Sequence, residues 1–536
     1  MKLNSVGLKN RTEWKNAGYS VPEFDRESVT AETKKNPAWI HFGAGNIFRA
    51  FQANILQTLL NKGIMNTGLI VAEGYDYEII EKMNHPHDDY NILVTLKADG
   101  NIEKTVVGSI VESLILDSAN IPSYDRMKAI FRAPSLKMAS FTITEKGYSL
   151  VSGQGQLLPD VEADFTSGPA APKSYIGKVS ALVYERYLNG HLPLALVSMD
   201  NCSHNGDKLK AAVTAFAENW IKKGVAEEGF MEYLCDPSKI SFPWSMIDKI
   251  TPRPDAKVEA LLMQDNIEEL APVITEKKTY VAPFVNAEEC EYLIIEDHFP
   301  AGRLPLDQAG IIYTSRETVE KVERMKVCTC LNPLHTALAV FGCLMGYELI
   351  SEEMKNPLLK KLVETIGYRE GLPVVVDPEI IGPRAFIDEV LNVRIPNPFM
   401  PDTPQRIATD TSQKLAIRYG ETIKAYMASD TLKVENLRMI PLVFAGWLRY
   451  LMAVNDNGNS FTLSPDPMLD TLLPIVSTLS LGNTEQAADT LRPILANSAI
   501  FGVDLYEADL AEKVIGYYRE LSSAPGAVKA TLEKYI

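Results

Sequence analysis

The early part of the chain repeats one pattern: a short apolar run, a turn, then a helical period. Residues 38–42 are apolar almost throughout and end at Gly43, and residues 48–60 carry apolar side chains at helical spacing. A second run stands at 69–72, with further strand-like runs at 91–96, 110–116, 139–144 and 194–198 and a helical period over 174–188. Unbroken apolar runs fit strands buried on both faces, and strands alternating with helices fit a parallel sheet flanked by helices. The run at 292–296 is the last strand before the character changes. Past Arg303 helical periodicity dominates, most clearly over 334–349, 353–368, 405–415 and 437–452. The pattern predicts an α/β Rossmann-like N-terminal domain over 1–300 and a mostly α-helical C-terminal domain over 301–536. The joint falls at the turn Phe299-Pro300-Ala301-Gly302, and a cleft between the domains is the expected place for a ligand.

Composition narrows the function. Of 536 residues 46% are hydrophobic and 23% charged, an ordinary globular balance without repeats or low-complexity tracts. The formal charge of −16 repels nucleic-acid phosphates and anionic membranes, so neither is an expected partner, and an anionic substrate needs a local basic pocket. The longest apolar helix candidate, 334–349, falls short of the ~20 residues of a membrane span and reads as buried core. The first residues are polar and mixed in charge, unlike an export signal. The six cysteines then read as reduced thiols of a cytoplasmic protein, a monomer or small homo-oligomer.

Two segments carry candidate chemistry. Gly43-Ala44-Gly45 follows a predicted strand and opens a predicted helix, the setting of a dinucleotide turn. The first glycine permits the tight turn, and the second lets a pyrophosphate approach the backbone. The third glycine position holds Phe48, followed by Arg49, so a plain strand–helix turn remains the alternative. Glu73 ends the second strand, where a carboxylate accepts hydrogen bonds from adenine-ribose hydroxyls and repels a 2′-phosphate. That favours NAD over NADP, with Asp76 a rival for the same role.

The second segment runs from Lys326 to His335. Asn332-Pro333 resembles an N-cap followed by an N1 proline, which would set His335 near the positive end of a helix dipole and keep its ring neutral. A carbonyl there could accept hydrogen bonds from Asn332 and His335, and a poorly solvated Lys326 could exchange a proton with the alcohol. The plainer alternative is a helix cap with Lys326 on the surface. Cys328 and Cys330 lie near His335 but lack the paired spacing of a zinc site.

These segments, with others, resemble the polyol-specific long-chain dehydrogenase/reductase family. The likeness spans nearly the whole chain: Gly43 to Arg49, Thr142 to Tyr148, Ser198 to Asn201 with Asn205-Gly206, Ile247 to Pro252, Ile295 to Arg303, the Lys326/Asn332/His335 cluster, and Asn397-Pro398 with Arg406 and Lys414. The resemblance implies a zinc-independent, NAD-dependent interconversion of a ketone and a secondary alcohol on a sugar acid or polyol. Fructuronate and D-mannonate are the pair it favours, with mannitol/fructose or tagaturonate chemistry as alternatives. It implies Lys326 as general acid/base, Asn201 and Asn332 as oxyanion donors, and His335 beside them. Arg406 and Lys414 are implied as the basic pair that holds substrate. From their residue types alone, these last two also fit a solvated helix face. The Lys326–Asn332 spacing is one residue longer than the family's, so either a bulge absorbs the extra residue or another group moves the proton. Outside this class stand a metal-dependent sugar-acid epimerase and a non-catalytic NAD-binding regulator.

Overall fold

Six of the strands form one all-parallel sheet. Their spatial order is Ile110–Ile115, Leu69–Glu73, Trp39–Phe42, Met138–Phe141, Leu194–Ser198, Ile240–Ser241. Numbered along the chain that order is 3-2-1-4-5-6, the doubly wound order of the Rossmann fold. Strands one, two, four and five are buried at every position. Their side chains alternate between two cores: Ile40, Phe42, Ile70, Ala72, Ala139 and Phe141 enter one, and Trp39, Leu69, Val71 and Met138 the other. The sheet order reverses between the first and fourth strands, whose register pairs Phe42 with Phe141. Gly43 therefore leaves the sheet at the switch point, where such folds bind ligands.

The computed structural model describes residues 1–536. The chain divides into a first unit of Met1–Lys97 with Asn101–Val319 and a second made chiefly of Glu320–Ile536. Two of the expected strands lie outside the parallel sheet. Asn91–Leu96 pairs antiparallel with Ile102–Val107 and parallel with Phe284–Glu288, in a separate sheet that Tyr19–Ser20 completes. Tyr292–Glu296 pairs antiparallel with Ser245–Asp248 and parallel with Ile312–Thr314. That last pairing, with Leu304, Leu306 and Ile311 packed in the core, keeps the chain in the first unit beyond the turn at residues 299–302.

The second unit is helical, as its periodicity predicts, but its helices are broken differently. Residues 405–415 are not one helix. Pro404–Ile407 and a 3-10 turn, Thr411–Gln413, are separated by Asp410 in the left-handed region at φ 55°, and the Asp466 carboxylate accepts from the Ser412 N–H and hydroxyl. Conversely, 334–349 is part of something longer. A helical run extends over Arg316–Met345, long and apolar enough in one stretch to cross a membrane, yet 83% of that stretch is buried within the protein, as in a core helix. It stops at Gly346, φ 78°, with the Gly346 and Tyr347 N–H groups bonded back to Cys343 and Gly342. Six helical turns widen to the π pattern: Phe48–Gln52, Ile80–Asn84, Lys326–Cys330, Ile366–Gly371, Val390–Arg394 and Ala416–Gly420.

Gly43 has φ 106°, and a Cβ on it would stand 2.3 Å from the Thr142 carbonyl oxygen. Gly43→Ala should therefore cost at least the ~1–3 kcal/mol of such backbone strain and lower the first thermal transition by several degrees. An unchanged transition in calorimetry would mean that the turn moves away from Thr142.

Candidate functional site

The dinucleotide turn is held by hydrogen bonds. The Gly43 N–H donates to the Ala72 carbonyl at 2.9 Å, and the Ala44 N–H to Glu73 Oε2 at 2.8 Å. A Cβ on Gly45 would meet nothing within 4 Å, so the backbone there is open to close approach, as a pyrophosphate requires. These residues fit the dinucleotide that the sequence implies.

Glu73 differs from expectation. It is 6% exposed, and besides Ala44 it accepts the N–H groups of Tyr75 at 2.8 Å and Asp76 at 3.1 Å. Three of the roughly four acceptor positions of a carboxylate are thus taken by backbone. Burial pushes its pKa up, and those three hydrogen bonds hold it back. Glu73 acts here as the fastener between the glycine turn and the second strand, not as an open ribose acceptor. Asp76 is also enclosed and accepts the Thr275 hydroxyl at 2.6 Å.

Phe48 and Arg49 require a similar correction. Both lie in the wide turn Phe48–Gln52, whose five residues are all buried. Phe48 stacks on His41 with ring centroids 4.3 Å apart, and Arg49 donates to the Ala282 carbonyl and to Asn46 at 2.7 and 2.8 Å. Burial lowers the Arg49 pKa to about 10. They build the floor under the turn rather than reaching out of it.

Asn201 stands exposed just past the fifth strand. Its neighbour Asp200 was without a role in the sequence and has one in the fold. Its carboxylate accepts the N–H groups of Ile143 and Thr144 at 2.9 and 2.8 Å and the Tyr148 hydroxyl at 2.5 Å. This ties Thr142–Tyr148, including Thr144 at φ 62°, to the loop that bears Asn201. The signal was available: two separated motifs, one rich in backbone donors and one supplying an acid.

In the second unit Lys326 is 4% exposed and opens the wide turn Lys326–Cys330, closed by the Leu331 N–H on the Lys326 carbonyl at 3.1 Å. The surface alternative for Lys326 is excluded. The bulge that the longer Lys326–Asn332 spacing calls for is present between those residues. Asn332 is not the N-cap: it is the first residue of the Asn332–Met345 helix, and Leu331, outside the helical region at φ −128°, precedes it as the cap. The His335 N–H is bonded to the Leu331 carbonyl at 3.1 Å, the first such bond of the helix, so it is not one of the free donors of the helix end.

His335 is nevertheless held neutral, for another reason. Burial lowers its pKa to about 4, Arg394, Arg418 and Arg406 push the same way, and Asp402 opposes them. Arg406 is exposed and ion-paired with Asp402. Lys414 donates to the Thr409 carbonyl. Its pKa is lowered by burial first, then by Arg418 and Arg406, against Asp410 and Asp466. Arg394 and Arg418 were missed in the sequence; the i, i+4 spacing of Lys414 and Arg418 was the signal for the second.

Comparison with known proteins bears on both halves. The Mannitol dehydrogenase Rossmann domain matches residues 37–308, and the Mannitol dehydrogenase C-terminal domain matches residues 318–522. The chain belongs to the mannitol dehydrogenase family. Within that family the D-mannonate oxidoreductase of Thermotoga maritima is 51% identical over 538 residues, covering 100% of this chain and 99% of the relative. The D-mannonate oxidoreductase of Escherichia coli is 28% identical over 90% of this chain and 92% of its own. Two solved structures share the fold. Pseudomonas fluorescens mannitol 2-dehydrogenase, in a ternary complex with NAD and D-mannitol, has a TM-score of 0.69 at 24% identity, covering 100% of this chain and 99% of its own. A D-sorbitol dehydrogenase has a TM-score of 0.78 at 22% identity, covering 96% and 98%.

The His335 shift has a measurable sign. Its folded pKa lies below the unfolded value, so the unfolded chain binds the extra proton and stability falls as pH drops from about 6.5 towards 4. His335→Asn should lose less stability than wild type across that window in denaturant titrations. Parallel pH curves would place the ring in contact with solvent water.

Proposed function

We propose that this member of the mannitol dehydrogenase family is an NAD-dependent oxidoreductase that interconverts a keto-sugar acid and the corresponding sugar acid, fructuronate and D-mannonate. The observation that carries the reading is the basic cluster of Arg394, Arg406, Lys414 and Arg418 around His335, in a chain of formal charge −16. A neutral polyol needs no such concentration of positive charge, whereas a carboxylate does. The 51% identity to a D-mannonate oxidoreductase supports the same substrate class.

In this reading Gly43 and Gly45 admit the pyrophosphate, and the bound nicotinamide cofactor supplies the hydride. As the carbonyl carbon gains a hydrogen, the C=O pair moves onto oxygen. Asn332 and Asn201 donate their amide N–H groups to that developing charge, and the neutral His335 ring donates a third. Lys326, in its ammonium form, gives the proton that makes the hydroxyl and takes it back in the oxidative direction. Arg406 and Lys414 hold the carboxylate remote from the reacting carbon. The polarising role of a metal is thereby filled by protein donors, and no zinc is required. Cys328 and Cys330, buried thiols with pKa values raised to about 11 and about 12, are spectators.

A substrate panel followed by NADH absorbance tests this directly. Fructuronate should be reduced fastest, ahead of tagaturonate and fructose. A charged hydrogen bond is worth roughly 1.5–3 kcal/mol, so Arg406→Ala should weaken fructuronate binding about tenfold or more and affect fructose less. Equal penalties would favour a polyol substrate. No absorbance change with any of the three would favour an epimerase or a non-catalytic regulator.

Lys326→Ala should reduce turnover by at least ~10²-fold while leaving NADH affinity nearly unchanged. Retention of half the wild-type rate would assign proton transfer to another group.

A further inference from the structure

The wide turn Ala416–Gly420 carries two consecutive side chains that grip the first turn of the Asn332–Met345 helix. An Arg418 Nη1–H donates to the Thr336 hydroxyl, which itself donates to the Asn332 carbonyl at 3.0 Å. The Tyr419 hydroxyl donates to the Pro333 carbonyl. The turn is backed from behind: a Cβ on Gly420 would stand 2.4 Å from the Phe501 carbonyl oxygen, and the Tyr419 ring meets Phe444 edge-on at 5.7 Å.

A threonine hydroxyl bonded to the carbonyl four residues back is ordinary helix chemistry. A guanidinium on that hydroxyl is not. Burial lowers the Arg418 pKa to about 10, and a neutral threonine is a poor partner for a half-buried cation. A brace alone would need no charge. This charge faces His335 from the Ala416–Gly420 turn, while Arg394 comes from the Val390–Arg394 turn and Arg406 and Asp402 from the Pro404–Ile407 region. Lys414, Asp410 and Asp466 complete the charged surroundings of the cluster.

We propose that Arg418 is a positioning residue: through the Thr336 hydroxyl it fixes the helical turn that carries Asn332 and His335, and so sets where the amide and the imidazole present their N–H groups. The proposal rests on the ketone-reductase reading of Asn332 and His335. Its chemistry is directional. The single hydroxyl proton of Thr336 is committed to the Asn332 carbonyl because the guanidinium occupies its acceptor side, and loss of either bond would release the turn. A lysine at 418 retains the charge but not the planar fork.

The test uses Arg418→Met, Arg418→Lys, Thr336→Val and the Arg418→Met/Thr336→Val double variant of the full chain. The first readout is the His335 ring titration by NMR, which needs no substrate. Arg418→Lys and Thr336→Val, which keep the charge but break the link, should move that titration off its wild-type value as Arg418→Met does. The second readout is steady-state reduction of the keto-sugar acid. Arg418→Met and Thr336→Val should each lower kcat about tenfold with KM within about twofold, and the double variant should be no worse than the poorer single. A rise in KM at unchanged kcat would make Arg418 a direct substrate contact and overturn the proposal. So would additive losses, or an unmoved His335 titration in Thr336→Val. Should Arg418→Met fail to fold, Thr336→Val against Thr336→Ser carries the kinetic test, with rescue by serine expected. Should wild type reduce no sugar acid, the substrate reading fails while the histidine titration still decides the role of Arg418.

Discussion

The register of the reactive helix depends on one hydrogen bond, from the Leu331 N–H to the Lys326 carbonyl. It closes a turn one residue wider than an α-turn. Without that widening, each added residue would rotate everything after it by about 100° around the helix axis. The rotation could not be absorbed further along, because Leu334, Ala337, Leu338, Phe341 and Leu344 are all fully buried and interlocked with the core. The extra residue is therefore taken up before that interlocking begins, within Lys326–Cys330. Lys326 stays buried on one side of the widened turn, and Asn332 and His335 follow on the other.

The same device recurs through the second unit. Each of its four wide turns bears a charged side chain that does something specific. Lys326 opens the first. Glu370, in Ile366–Gly371, accepts the N–H groups of Arg438, Met439 and Ile440 at 2.7, 2.7 and 2.9 Å and so caps the Met439–Tyr450 helix. Arg394 and Arg418 lie in the other two and bear on His335. π turns are rare in helices and concentrate at functional sites, where they re-aim a side chain at a cost in regular hydrogen bonding. Here they gather charge into a helical domain whose regular faces are apolar.

How much of this a sequence shows follows from what its periodicity encodes. Strands buried on both faces, such as 39–42 and 194–198, announce themselves as unbroken apolar runs, and the parallel sheet follows from the alternation with helices, though not its strand order. Strand 312–314 is only partly buried and short, so its pairing with 292–296 left no clear trace. Wide turns leave none, because one extra residue in a helical period is within the noise of any pattern; the 326–332 spacing became visible only against a family expectation. Carboxylates mislead in a consistent direction. Glu73 stands where a ligand acceptor is expected, yet it, like Asp200, is committed to backbone N–H groups of neighbouring turns, and burial makes those bonds obligatory. The neutral His335 was foreseen from the helix end, whereas burial is the first cause of its shift.

Charge decides selectivity locally rather than globally. The net charge of −16 would repel an anionic sugar from afar, but over more than about 8 Å that repulsion is largely screened at physiological ionic strength. Within that range the His335 surroundings hold three arginines against one aspartate. Asp402 pairs with Nη2 of the exposed Arg406, and the planar fork has further N–H donors for an incoming carboxylate. Lys414 adds a second cation, its pKa lowered by burial first and by Arg418 and Arg406 next. A carboxylate gains charge-assisted hydrogen bonds from that pair, whereas a hydroxyl gains weaker ones. In the proposed reading Asp402 holds the exposed Arg406 in place before substrate arrives, and Arg406 with Lys414 sets the preference for an acid over a neutral sugar.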